Sequence, residues 1–126
     1  MKRSEIKKLD KIWSEKIKEI GNYRCLKCGT TNRKLESAHI VGRGAYNTRW
    51  RLDNGLCLCF TCHQDYDQHR NHMESWVRDW IGEEKWNELQ EAGRPCNAGK
   101  KYFYEDVKKE LDERDKLHNK KDTDRI

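Results

Sequence analysis

The 126-residue chain holds one proline and two phenylalanines, and only 34% of its residues are hydrophobic against 39% charged. An apolar complement this lean supports one domain with a modest core, so something besides apolar contact has to help hold the fold. There is no membrane-length apolar run, no internal repeat and no low-complexity tract, which removes membrane spans, solenoids and tails from consideration. Met1 to Lys11 is mostly charged, unlike the apolar opening of a secretory segment. The cysteines are therefore expected in a reducing cytosol, where disulfides do not persist.

Cysteine is what the chain does have. Cys25-Leu26-Lys27-Cys28 and Cys59-Phe60-Thr61-Cys62 are two knuckles separated by 30 residues. Each presents two thiolates from one tight turn, the ligand set that a tetrahedral zinc ion prefers. A pair of disulfides or four free core cysteines is the bland alternative, and the reducing compartment favours metal. Structural zinc contributes on the order of 10 kcal/mol in small peptides, comparable to the whole stability of an ordinary domain, so it would substitute for missing core. Cys57 and Cys96 fall outside the knuckles. Alternation puts Cys57 on the face of Cys59, but neither has a knuckle partner, and both read as ordinary reduced cysteines.

The net charge of +5 is unevenly spread: residues 1–51 carry 14 Lys or Arg and 5 Asp or Glu, whereas the remaining 75 carry 13 and 17. The first part is thus +9 and the second −4. A basic half containing Arg24, Lys27, Arg33, Lys34, Arg43, Arg49 and Arg51 suits a polyanion, and a solvated basic surface is the competing reading. Zinc knuckles in the same segment tip the balance toward nucleic acid.

Hydrophobic spacing places the elements. Ile6, Leu9, Trp13, Ile17 and Ile20 recur at helical steps, with Ser4 to cap the start and Gly21 to end it. This stripe reads as packing. Residues 35–41 form a short strand candidate with His39 near its end, 47–54 read as a polar loop, and 55–59 form a second strand candidate able to pair with the first. From Phe60 the pattern turns helical, with Met73, Trp76, Val77, Trp80 and Ile81 on one face and a break at Gly82. Trp86 and Leu89 mark a further short helix before Gly93 and Pro95. From Tyr102 to about Asn119 a charged amphipathic helix spaces Phe103, Val107 and Leu111, with the domain body or a second subunit as its partner. The expected division is a helix over 1–21, a zinc-binding core over 22–81 and a helical extension over 82–126, all one unit.

With those elements in place, Cys25, Cys28, His39, Asn54, Cys59, Cys62 and His63 match in type and order the pattern of the HNH endonucleases, which residues 22–72 resemble. More loosely, Leu9-Asp10-Lys11-Ile12-Trp13-Ser14 leading into the first knuckle resembles phage recombination nucleases of the NinG type. The resemblance implies an α+β fold: a small ββα-metal, treble-clef-like core with a structural zinc site, flanked by N- and C-terminal helices. It implies DNA as partner, no membrane, and a cytoplasmic location in a bacterium or phage-infected cell. The closer resemblance would add branched DNA and a homodimer cutting two strands.

The resemblance also assigns roles. His39 would be the base, since a neutral imidazole with a pKa of about 6.5 can accept a proton at physiological pH. Asn54 would orient the loop or the base, although Asp53-Asn54-Gly55 would serve equally as a plain turn. His63 would ligate a catalytic Mg2+ or Mn2+, and Asp67, four residues on in a helix starting near Cys62, would share its face. His69 and His72 compete for that second position.

Family members often place a metal-ligating Asp or His directly before the base, where this chain has Ala38. Glu36 shares the strand face of Ala38 but sits about 7 Å along the strand, a strained substitute. Arg43, Arg49 and Arg51 lie in the loop expected to border the cleft, suited to holding backbone phosphates. Trp50 beside them reads as a loop aromatic packed on the domain rather than a stacking platform. Two rivals remain: a noncatalytic zinc-ribbon module binding nucleic acid through the basic half, and a zinc-built protein-interaction domain that leaves the histidines unused.

Overall fold

The computed structural model describes residues 1–94 and 101–113. The element order is α1 (Arg3–Ile20), β1 (Leu35–His39), α2 (Tyr46–Arg49), a 3-10 turn (Leu52–Asn54), β2 (Gly55–Cys59), α3 (Phe60–Gln68), α4 (Arg70–Ile81) and α5 (Glu83–Ala92). Residues 104–113 are helical as well. Pro95, Cys96 and the end of the last expected helix lie outside the described residues. No helix among the described residues is long and apolar enough to cross a membrane.

The apolar stripe of α1 docks as its period requires, with Leu9, Trp13 and Ile17 buried. The helix starts two residues earlier than a Ser4 cap would allow, because the Glu5 carboxylate turns back to accept the Lys2 backbone N–H at 2.8 Å. Gly21 ends it as expected.

β1 and β2 pair antiparallel, with Ser37 opposite Cys57, Ala38 opposite Leu56 and His39 opposite Gly55. Strand alternation then sorts side chains into two cores. Ala38, Leu56 and Leu58 face α3, α4 and α5 in one buried cluster with Tyr66, Met73, Val77 and Leu89. Cys57 faces the other way, into a cluster with Leu9, Trp13, Ile17, Trp50 and Leu111. The helical stretch at 104–113 therefore has the domain body as partner, through Leu111 and Val107. Cys57 and Cys59 belong to different clusters, because the chain turns into α3 directly after Cys59.

Three local expectations need correction. β1 stops at His39 rather than residue 41, because beyond it the Asn54 side chain, not a strand, bonds the Val41 backbone. The expected loop over 47–54 contains one helical turn and a 3-10 turn. Trp80 is 56% exposed, so the buried arc of α4 is narrower than the five-residue stripe suggested. Trp80 lies instead beside Trp76, ring centroids 6.2 Å apart.

Gly55 sets how closely α1 approaches the sheet. A Cβ there would lie 2.5 Å from Ile17 Cδ1 and 2.8 Å from Trp13 Cζ2. Only glycine lets α1 lie this near at the position opposite His39.

Candidate active site and zinc centre

The knuckles converge. One sulfur each from Cys25, Cys28, Cys59 and Cys62 lies within 4.8 Å of all the others. The Cys28 and Cys59 sulfurs are 3.7 Å apart, close to the edge of about 3.8 Å expected for a tetrahedron with Zn–S bonds of about 2.3 Å. The first knuckle is carried by a loop whose Leu26 N–H donates to the Cys57 carbonyl at 2.9 Å. The second straddles the junction of β2 and α3. Burial raises the Cys25 thiol, but the backbone N–H groups of Cys28, Cys59 and Lys27 outweigh it and bring it down to about 6. Burial and the neighbouring thiols push Cys62 up. One thiolate forms readily and opposes the next, so a divalent cation is what stabilises the fully deprotonated set. The cluster fits zinc.

Above it, the ends of β1 and α3 open onto a cleft of about 440 Å³ whose walls include His39, His63, Asp67, Arg43 and Arg70. Both histidines line it from different sides: His39 leaves the end of β1 on the α1 side, whereas Glu36, the partner of His63, leaves on the α3 side. His39 Nε2 lies 2.9 Å from the Arg49 carbonyl oxygen. A carbonyl only accepts, so Nε2 carries the proton and Nδ1 keeps the lone pair. Burial pulls the His39 pKa below its ordinary value, against the Arg49 carbonyl and Asp10, which raise it. The Trp13 indole stacks on the ring at 3.9 Å and 10°.

His63 Nδ1 lies 3.0 Å from Glu36 Oε1, and its Nε2 lies 3.4 Å from Asp67 Oδ2. With Nδ1–H donated to Glu36, Nε2 would present a lone pair toward the Asp67 carboxylate, two groups that could hold a divalent cation between them. Adjacent ligands on a magnesium octahedron with bonds of about 2.1 Å lie about 3.0 Å apart, so the pair fits with little movement. Glu36 thus stands behind His63 as its hydrogen-bond partner, not in the position left by Ala38. Of the competitors for the second ligand, His69 turns to Asp65 at 2.9 Å, and neither His69 nor His72 lines the cleft.

Asn54 is fully buried, and its side-chain bonds are all to the backbone of one loop. Its Oδ1 accepts the Val41 N–H at 2.8 Å, and its Nδ2 donates to the carbonyls of Val41 at 3.1 Å and Thr48 at 2.9 Å. These bonds clamp both ends of the loop carrying Arg43. Asn54→Ala is expected to lower stability by about 3 kcal/mol, because buried partners are left unsatisfied. Urea unfolding measures it, and a loss below about 1 kcal/mol would mean that the loop does not depend on this side chain.

The three loop arginines divide. Arg43 is exposed and lines the cleft. Arg49 is 8% exposed and its guanidinium meets the Asp10 carboxylate at 3.0 and 2.7 Å. Arg51 pairs with Asp53 at 2.7 Å and Glu88 at 2.8 Å and lines a different cavity. The guanidiniums expected to hold phosphate at 49 and 51 are thus engaged by carboxylates. Trp50 is buried, its Nε1 donating to Asp10 at 2.9 Å, as the packed reading expected.

Arg70, which sequence reasoning passed over, joins Arg43. Its Nη1 donates to the Ile40 carbonyl at 3.1 Å and its guanidinium lies 4.3 Å from the Tyr66 ring centroid. Helical spacing from His63 could not have found it, because α3 ends at Gln68 and Arg70 opens α4. Asp10 and Trp13 were also missed as cleft residues. The stripe that holds Trp13 spoke only of packing, and Asp10 entered only through the N-terminal resemblance.

Residues 25–74 match the family model of the HNH endonucleases. No curated protein and no solved structure matches the chain. The matched segment carries the four cysteines, His39, His63 and Asp67.

Proposed function

We propose that the chain is a metal-dependent DNA endonuclease that hydrolyses phosphodiester bonds with His39 as general base. The observation that carries this reading is the His39 ring, held by the Arg49 carbonyl so that Nδ1 is its acceptor, in one cleft with the His63–Asp67 pair.

The chemistry rests on the groups present. His39 Nδ1 takes a proton from a water, and the resulting hydroxide attacks phosphorus in line with the leaving oxygen, which departs with a proton from solvent. A Mg2+ or Mn2+ ion bound by His63 and Asp67 would supply positive charge at the phosphate. Arg43 and Arg70 hold neighbouring backbone phosphates, contacts that position DNA without reading its sequence. Structural zinc held by Cys25, Cys28, Cys59 and Cys62 would keep the cleft walls in register.

The test is cleavage of labelled duplex, single-stranded and four-way-junction DNA with magnesium or manganese. Metal-dependent cutting supports the nuclease. Preferential cutting of the junction, by a dimer, would extend the reading to the recombination intermediates that the N-terminal resemblance implies. Ala38, buried and offering no ligand, favours the rival reading of a noncatalytic zinc module. Tight, salt-sensitive binding without cutting under either metal would establish that rival.

Burial of His39 sets the pH dependence. Its pKa in the fold lies below the ordinary value of about 6.5, so kcat/KM is expected to be flat at neutral pH and to fall on the acid side with an apparent pKa below that value. The sign for stability is the same: burying neutral His39 costs nothing above pH of about 6.5, and stability is lost as pH falls from there toward the folded pKa. A rate that rises only above a pH of about 8 would point to a base other than His39.

A further inference from the structure

Two residues of α1, outside the 25–74 segment that matches the family model, close around the base. We propose that Asp10 and Trp13 are positioning residues of the catalytic centre, α1 fixing the tautomer and the plane of the His39 ring. This inference rests on the reading of His39 as base.

Asp10 acts at one remove. Its Oδ2 lies 2.7 Å from Arg49 Nη2, and its Oδ1 lies 3.0 Å from Arg49 Nε and 2.9 Å from Trp50 Nε1. Arg49 Nη1 donates in turn to the Arg43 carbonyl at 3.1 Å. One carboxylate thereby pins the turn whose Arg49 carbonyl holds His39 Nε2 at 2.9 Å. That turn, α2, is only four residues long and has no side-chain cap. A single turn has little stability of its own, so the direction of its last carbonyls depends on what anchors it.

Trp13 acts directly on the ring. It is 2% exposed, and its Nε1 donates to the Arg51 carbonyl at 2.8 Å, so the indole is fixed at its far end. Its face lies parallel to the imidazole at 3.9 Å. That contact blocks rotation out of plane, and the negative face of an indole favours the imidazolium that forms as the base takes its proton. The charged groups around His39 are Asp10 from α1, Arg43 and Arg49 from the loop, and Arg70 from α4. Asp10 and Arg49 neutralise each other, leaving the hydrogen bond and the stack as the directional contacts.

The test begins with the intact, zinc-loaded chain labelled with 15N. At neutral pH the His39 ring is expected in one tautomer, Nε2 protonated and Nδ1 bare. Averaged ring shifts from a mixture of tautomers would overturn the proposal without recourse to any variant. Trp13→Met, which keeps an apolar side chain but removes the aromatic face, is then expected to lower kcat about 100-fold with KM unchanged, the scale of loss that misplacing a reacting group produces. Trp13→Phe, which restores the face, is expected to recover most of it. A Trp13→Met chain that stays folded and cuts at the parent rate would sink the idea. If the unaltered chain never cuts DNA, the reading of His39 as base falls, while the ring spectrum still decides whether α1 fixes it.

Discussion

Stripping the metal from Cys25, Cys28, Cys59 and Cys62 is expected to abolish the cooperative melt of the chain rather than merely lower its midpoint. A structural zinc site contributes on the order of 10 kcal/mol, and an ordinary domain has a net stability of about 5–15 kcal/mol. The four sulfurs are not peripheral: Cys25 and Cys59 belong to the larger buried cluster, and Cys62 packs against it. Without the ion, the loop over residues 22–34 keeps few backbone bonds to the rest, among them Leu26 to Cys57 and Phe60 to Lys34 at 2.9 Å each. Cys25 would then carry a thiolate whose charge opposes ionisation of Cys62. Circular dichroism with a chelator and then with added zinc measures the effect. Loss of helical signal restored by zinc is the expected result. A chelated chain whose melting temperature and spectrum stay unchanged would show that the cysteines do not hold the fold.

The parts of this fold that were legible in the sequence were those with a strict local cause. The second strand was read to its ends because Gly55 and Cys59 bound a short apolar run, and α1 because its stripe has the helical period. The convergence of the four cysteines was legible because two knuckles at this spacing are a metal-ligand pattern. What escaped notice depends on partners distant in sequence. Nothing local distinguishes Arg43, which is exposed, from Arg49, which meets a carboxylate 39 residues away. Likewise the stripe explains why Trp13 is buried but not that its indole lands on His39, which requires the glycine at position 55. The side chain of Asn54, read equally as a turn former, proves to be a clamp because Val41 and Thr48 approach it from across the loop.

Replacing His39 by alanine is expected to lower the cleavage rate about 10²–10⁴-fold while leaving DNA binding and the melting temperature near their parent values. The ring is partly exposed at the end of β1, so its removal leaves a pocket open to water rather than a sealed cavity. The Arg49 carbonyl that it satisfied can take a water instead. Loss of rate should therefore appear in kcat and not in KM, the signature of a group that acts in the transition state. Added imidazole gives a sharper test. In the alanine variant the Trp13 face and the Arg49 carbonyl remain in place, offering a free imidazole the two contacts that hold the natural ring. Partial rescue, saturable and dependent on the neutral form of imidazole, is the expected outcome. A variant that cuts as fast as the parent would remove His39 from the reaction altogether.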